Sequence, residues 1–99
     1  AIADFDKAIE LDPKYAGAYY NRGYAWFKKG DFDRAIADYS EAVRYAPKDA
    51  DAYVSRGLVH MVRGQIAEAI ADYDRAIGIN ARHLKARGNR GNAVMSCWV

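Results

Sequence analysis

An all-α fold of repeated antiparallel helix pairs is what this sequence predicts, and three observations carry the prediction. A pattern recurs every 34 residues, most plainly at Asn21-Arg22-Gly23, Ser55-Arg56-Gly57 and Asn89-Arg90-Gly91. Between these landmarks apolar residues fall at helical spacing. The only two prolines, Pro13 and Pro47, stand where a helix would end.

The period extends well beyond the glycines. Ala1, Ala35 and Ala69 match, each followed by isoleucine (Ile2, Ile36, Ile70). Asp4, Asp38 and Asp72 match, as do the aromatics beside them, Phe5, Tyr39 and Tyr73. Ala8, Ala42 and Ala76 follow, then Ile9, Val43 and Ile77. The spacing predicts a helix over 16–29, with Tyr19, Gly23 and Trp26 on one side and Ala18 and Ala25 nearby. Gly30 supplies a left-handed stop and Asp31 caps the next helix. That helix runs over 32–45 with Ala35, Ile36, Tyr39, Ala42 and Val43. Ala46-Pro47 ends it, because the residue before proline disfavours the helical conformation. Gly64 and the segment 66–79 restate the same logic. Glycine inside a helix costs about 1 kcal/mol relative to alanine, so its recurrence implies a steric demand. Gly23 and Ala35 are predicted to form a tight crossing, with Tyr39 and Trp26 filling the space around it.

Composition narrows the function classes. The chain has 99 residues, 52% of them hydrophobic, and a net charge of +2 from 15 basic and 13 acidic residues. Such a chain can bury a core, which argues against disorder. No basic stripe points to nucleic acid. The cluster Arg82, His83, Lys85, Arg87 and Arg90 reads as a solvated helix face. No run approaches the ~18 apolar residues of a membrane span. The start shows no signal peptide, and Cys97 as the sole cysteine permits no internal disulfide. A cytoplasmic location is the expectation. His60 and His83 sit in no ligand motif, Cys97 has no histidine at a supporting spacing, and no phosphate loop or zinc signature appears. Neither catalysis, nor a cofactor, nor a bound metal is expected.

These residues resemble the tetratricopeptide repeat (TPR), whose pattern reads aromatic-x-x-Leu-Gly-x-x-Tyr, then Ala-x-x-x-Phe, then Pro. Here it runs Tyr19, Arg22-Gly23, Trp26, Ala35, Tyr39, Ala42, Pro47, and again Tyr53, Arg56-Gly57, His60, Ala69, Tyr73, Ala76. The resemblance implies a right-handed α-solenoid of antiparallel helix pairs across 1–99. In it, 1–15 is the second helix of a partial repeat. Residues 16–49 and 50–83 are full repeats, and 84–99 is the first helix of another. The sequence departs from the pattern at Arg22, Arg56 and Arg90, which replace leucine. Ala81 replaces the closing proline, Arg87 replaces an aromatic, and the pattern is lost at Ser96-Cys97-Trp98-Val99. The recurring arginines, in step with Asp4, Asp38 and Asp72, predict a charge pair bridging neighbouring helices.

The resemblance implies a scaffold for protein–protein interaction, with a partner peptide in a concave groove lined by the first helix of each pair. Packing within the repeat leaves a second stripe unexplained: Gly17, Tyr20, Tyr24 and Phe27; then Asp51, Val54, Leu58 and Met61; then Lys85, Gly88, Asn92 and Met95. Asn21, Ser55 and Asn89 border it and can bond a peptide backbone. The stripe runs from aromatic through aliphatic to polar, which suits a peptide with apolar anchors. One subclass of the family holds chaperone C-termini in a carboxylate clamp. Only Lys85 matches that clamp; Tyr20, Tyr24, Ser55 and Asn89 depart from it. Two alternatives stand beside peptide binding. Ile2, Phe5 and Ile9 at one end, with Val94, Met95 and Trp98 at the other, are candidates for self-association into a homo-oligomer. The array could also be a docking segment of a larger enzyme.

Overall fold

The computed structural model describes residues 2–80 and 88–91, and among them every regular element is helical. Five helices follow in order: α1 (Ile2–Leu11), α2 (Ala16–Lys29), α3 (Phe32–Tyr45), α4 (Ala50–Val62) and α5 (Ile66–Ile79). Residues 88–91 form a further helical segment. Ala81, Arg82, His83, Lys85, Arg87, Asn92, Val94, Met95, Cys97 and Trp98, singled out in the sequence, lie outside the described residues. The chain divides into two compact units, Ala1–Pro47 and Lys48–Val99. In the first, α2 packs on both α1 and α3; in the second, α4 packs on α5.

Local chemistry sets the helix ends. Gly30 adopts a left-handed φ of 84°, and its N–H donates back to the Phe27 carbonyl while that of Asp31 reaches Trp26. Gly64, at φ 78°, ends α4 in the same way, with the Gln65 N–H donating to the His60 carbonyl. Both turns need φ values that a residue with a Cβ avoids. The Asp31 carboxylate accepts from the Arg34 N–H at 3.2 Å and opens α3. Asp49 opens α4 by accepting from the Asp51 N–H. Before α2, the Tyr19 hydroxyl donates to the Pro13 carbonyl at 2.9 Å and ties the helix to the turn that precedes it.

Each unit centres on a glycine facing a tyrosine. A Cβ on Gly23 would lie 3.0 Å from the Tyr39 ring and 3.3 Å from the Ala35 carbonyl oxygen. A Cβ on Gly57 would lie 2.7 Å from the Tyr73 ring. The crossing is therefore tight: the glycine meets the tyrosine ring, with Ala35 contributing backbone. Trp26 is half-buried beneath the Arg34 guanidinium, which lies 4.7 Å above its ring. Ala35, Tyr39 and Ala42 in one unit, and Ala69, Tyr73 and Ala76 in the other, are buried beside the glycines.

The predicted arginine–aspartate pairs are present, with a defined register. Arg22 Nε and Nη2 donate to the two oxygens of Asp38 at 2.8 and 2.7 Å. Arg56 makes the same fork to Asp72 at 2.9 and 2.7 Å. Asp38 and Asp72 are buried, so each carboxylate needs this two-pronged donor. The forks hold both guanidiniums more firmly protonated than in water, Asp38 and Asp72 being the respective causes. Arg22 also reaches back to Asp6 at 2.8 Å. The α1 carboxylate that bridges to α2 is therefore Asp6, not Asp4.

The Tyr73 hydroxyl is buried and makes no hydrogen bond among the described residues. Burial, then the neighbouring Asp72 charge, pushes its pKa up to about 12 from the ordinary 10.0.

Four outcomes follow from this core. Gly57→Leu should cost about 1–3 kcal/mol of unfolding free energy in urea titrations, because the buried ring cannot yield. Gly78→Ala, where a Cβ meets nothing within 4 Å, should gain up to about 1 kcal/mol. Arg56→Met should cost about 2–4 kcal/mol by stranding a buried carboxylate that the partly exposed arginine satisfied. A double-mutant cycle with Asp72→Ala should then give a coupling above about 1 kcal/mol, and zero coupling would mean independent charges. The fourth outcome concerns pH. Because the folded pKa of Tyr73 is raised, its contribution to stability is complete below about pH 10. It should fall by about 1.4 kcal/mol per unit as pH rises towards 12. Tyr73→Phe should flatten that loss in unfolding titrations taken across the same range.

Candidate functional site

Helix α2 has one face committed to the core and one left accessible. Ala18 and Gly23 are buried. Tyr20, Tyr24 and Phe27 form a row at helical spacing that borders the buried Gly23. Tyr20 is half-buried with its ring 5.5 Å from that of Tyr39, so the core holds its orientation. Phe27 is half-buried against Phe32, ring centres 5.6 Å apart. Tyr24 is 50% exposed, and Lys28 places Nζ 5.2 Å from its ring centre. Asn21 beside it is exposed. A Cβ on Gly17 would lie 2.9 Å from the Tyr15 ring.

The charge of α2 is one-sided. Its fourteen residues include Arg22, Lys28 and Lys29 and no carboxylate. The two lysines sit in the last turn, where the partial negative charge of the helix end favours them. The α2 surface is thus aromatic in its middle and cationic at its end.

In the other unit, α4 offers a smaller apolar face. Val54 is buried at 5% exposure, so it belongs to the core and presents no contact area. Leu58 and Val62 are both exposed and four residues apart, so they share a face. Met61 beside them is half-buried. Ser55 is half-buried and already engaged in an interaction. Asn89 is half-buried on the 88–91 segment. Lys85, Asn92 and Met95 of the same stripe lie outside the described residues. The sequence reading missed Val62 and Lys28, which stand one period apart. Both follow an accessible residue, Leu58 or Tyr24, by four positions, and that spacing was the available signal.

The remaining candidates divide as follows. Ile2, Phe5 and Ile9 are half-buried on α1. Val94 and Trp98 lie outside the described residues. His60 Nδ1 lies 2.8 Å from the Gln65 side-chain oxygen, and its Nε2 lies 3.7 Å from Asp72. That carboxylate is already occupied by Arg56, so His60 closes the end of α4 onto the start of α5. Among the described residues no three histidines, cysteines or carboxylates come together as metal ligands. No described helix is long and apolar enough to cross a membrane.

The family profile of the tetratricopeptide repeat matches residues 27–83, and a TPR repeat profile matches residues 1–30. The chain is similar to the first TPR of Spaghetti (RPAP3), a structure with a bound HSP90 peptide SRMEEVD. The TM-score is 0.94 at 23% identity, over 99% of this chain and 78% of that one. It is also similar to the Arabidopsis OM64 TPR domain, with a TM-score of 0.88 at 26% identity over 94% and 77% of the two chains. MamA gives a TM-score of 0.92 at 32% identity, covering 96% of this chain and 56% of that protein. No curated protein matches the chain.

Proposed function

The chain belongs to the tetratricopeptide-repeat family, a family of protein–protein interaction modules, and on that premise we propose that it binds a partner peptide along the first helix of a pair, in the groove that family membership implies. The observation that carries the reading is Tyr24. A large aromatic ring stays half in water on a helix whose other side is core, flanked by Tyr20 and Phe27 in the same row. Tyrosine and phenylalanine supply contact area with few rotatable bonds, which suits them to anchor a peptide. Asn21, at the margin, supplies both a donor and an acceptor for peptide backbone. On α4, Leu58 and Met61 provide a second apolar patch, with Ser55 beside it. Lys85, Asn89 and Asn92 extend the proposal to the next repeat.

The ligand class differs from an acidic C-terminus. The Spaghetti structure holds the peptide SRMEEVD. The resemblance to clamp-bearing relatives would require lysine and asparagine where this chain has Tyr20 and Tyr24. A peptide with apolar or aromatic anchors fits the α2 row better. The one-signed charge of α2 favours anchors followed by a carboxylate near Lys28. The module itself performs no catalysis in this reading.

Selection from a random displayed peptide library on the 99-residue chain, followed by fluorescence-anisotropy titration of the selected peptides, tests this. Tyr24→Ala should weaken binding by about 1–2 kcal/mol, or roughly tenfold. Its unfolding free energy should change by less than about 0.5 kcal/mol, because the ring is half exposed. Selected peptides indifferent to both Tyr24→Ala and Leu58→Asp would overturn the assignment, as would tight binding of SRMEEVD itself.

A further inference from the structure

Tyr20, Tyr24 and Lys28 follow one another at intervals of four along α2. Four residues of α-helix rise about 6 Å. Two residues of an extended chain rise about 6.6 Å, and every second side chain points the same way. A peptide lying extended along α2 therefore meets these three positions with alternate residues, nearly in register. The exposed amide of Asn21 favours the extended form. An extended peptide keeps backbone N–H and C=O groups available to that amide, whereas a helical one bonds them internally.

The last of the three positions is a cation. Lys28 is exposed, and its Nζ stands 5.2 Å from the centre of the Tyr24 ring. No carboxylate on α2 competes for it. Arg22, the other cation in the body of the helix, is already bonded to Asp38 and Asp6. The first carboxylate after α2, Asp31, accepts from the Arg34 N–H and opens α3. A ligand side chain packed on Tyr24 and a ligand carboxylate at Lys28 would thus stand about as far apart as residues i and i+2 of an extended chain. Residue i+1 points away.

We propose that the partner peptide binds α2 in extended form and carries an aspartate or glutamate two residues from the apolar side chain that packs on Tyr24. Lys28 then selects the ligand by charge, and Tyr24 holds it by contact. The proposal rests on the peptide-binding reading above and adds to it a conformation, a spacing and a residue that sets specificity.

Display selection on the whole chain tests the proposal, with a peptide library that fixes one phenylalanine and randomises its flanks. The peptides to read are those that lose binding on Tyr24→Ala. They should be enriched in aspartate or glutamate two residues from the phenylalanine, on one side of it. Lys28→Glu should turn that preference to lysine or arginine. Lys29→Glu, about 100° further round the helix, should leave it unchanged. Circular dichroism should show both variants as helical as the parent. In anisotropy titrations, replacing the acid of a selected peptide by its amide should weaken binding about threefold to fivefold on the parent and not on Lys28→Gln. Three results would each overturn the proposal and leave peptide binding standing. They are Tyr24-dependent peptides without an acid at that spacing, an acid three or four residues away as a helical ligand would place it, or a preference that Lys28→Glu does not change. Peptides indifferent to Tyr24→Ala would overturn it too, and if they are also indifferent to Leu58→Asp the peptide-binding reading falls with it.

Discussion

Two helices can lie close only where one of them surrenders its side chain, and in this protein that point is the glycine set against a tyrosine ring. With Gly57 and Tyr73 in contact, the α4 and α5 backbones come near enough for alanines such as Ala52, Ala69 and Ala76 to complete the seal. A larger residue at any of these places would separate the axes and open voids along the whole pair. The small residues of the repeat are therefore a consequence of the crossing. The tyrosine is what makes the crossing specific, because its ring fits against a surface without a Cβ.

The same closeness explains why arginine stands where relatives of this type carry leucine. A guanidinium at Arg22 or Arg56 lies beside a buried carboxylate and meets it with both prongs. The aliphatic stem still covers apolar surface, and each head lies about 5.6 Å over a tyrosine ring of its own helix, Tyr19 or Tyr53. A leucine would leave Asp38 and Asp72 unpaired. The substitution and the aspartates have to be understood as one unit, and they add direction to a contact that apolar packing alone would leave free to slide.

Much of this was legible in the sequence because a repeat states its own rules more than once. The helices over 16–29, 32–45 and 66–79, the glycine stops and the existence of the arginine–aspartate pairs all followed from the period. The partner of Arg22 on α1 did not, since Asp4 and Asp6 are equally plausible by spacing and only the rotation of α1 selects Asp6. The accessible stripe was harder still. A helical wheel grouped Val54 with Leu58, although burial assigns Val54 to the core and Val62 to the surface. Trp26 resembled a core residue by type, yet a stacked arginine holds it at the margin. Hydrophobicity says which residues can be buried, whereas burial itself depends on the neighbouring helix.

Every arginine fork and every arginine bridge described above spans sixteen residues of chain. The entropy lost in closing a loop depends on its length, so each of these bonds closes at the same modest cost. No contact of this kind has to wait for distant parts of the chain to meet. Folding can start at any helix pair and spread outward, and its rate should depend little on how many repeats are joined. For a chain emerging from the ribosome, a pair can close as soon as its second helix is free, long before synthesis of the array is complete.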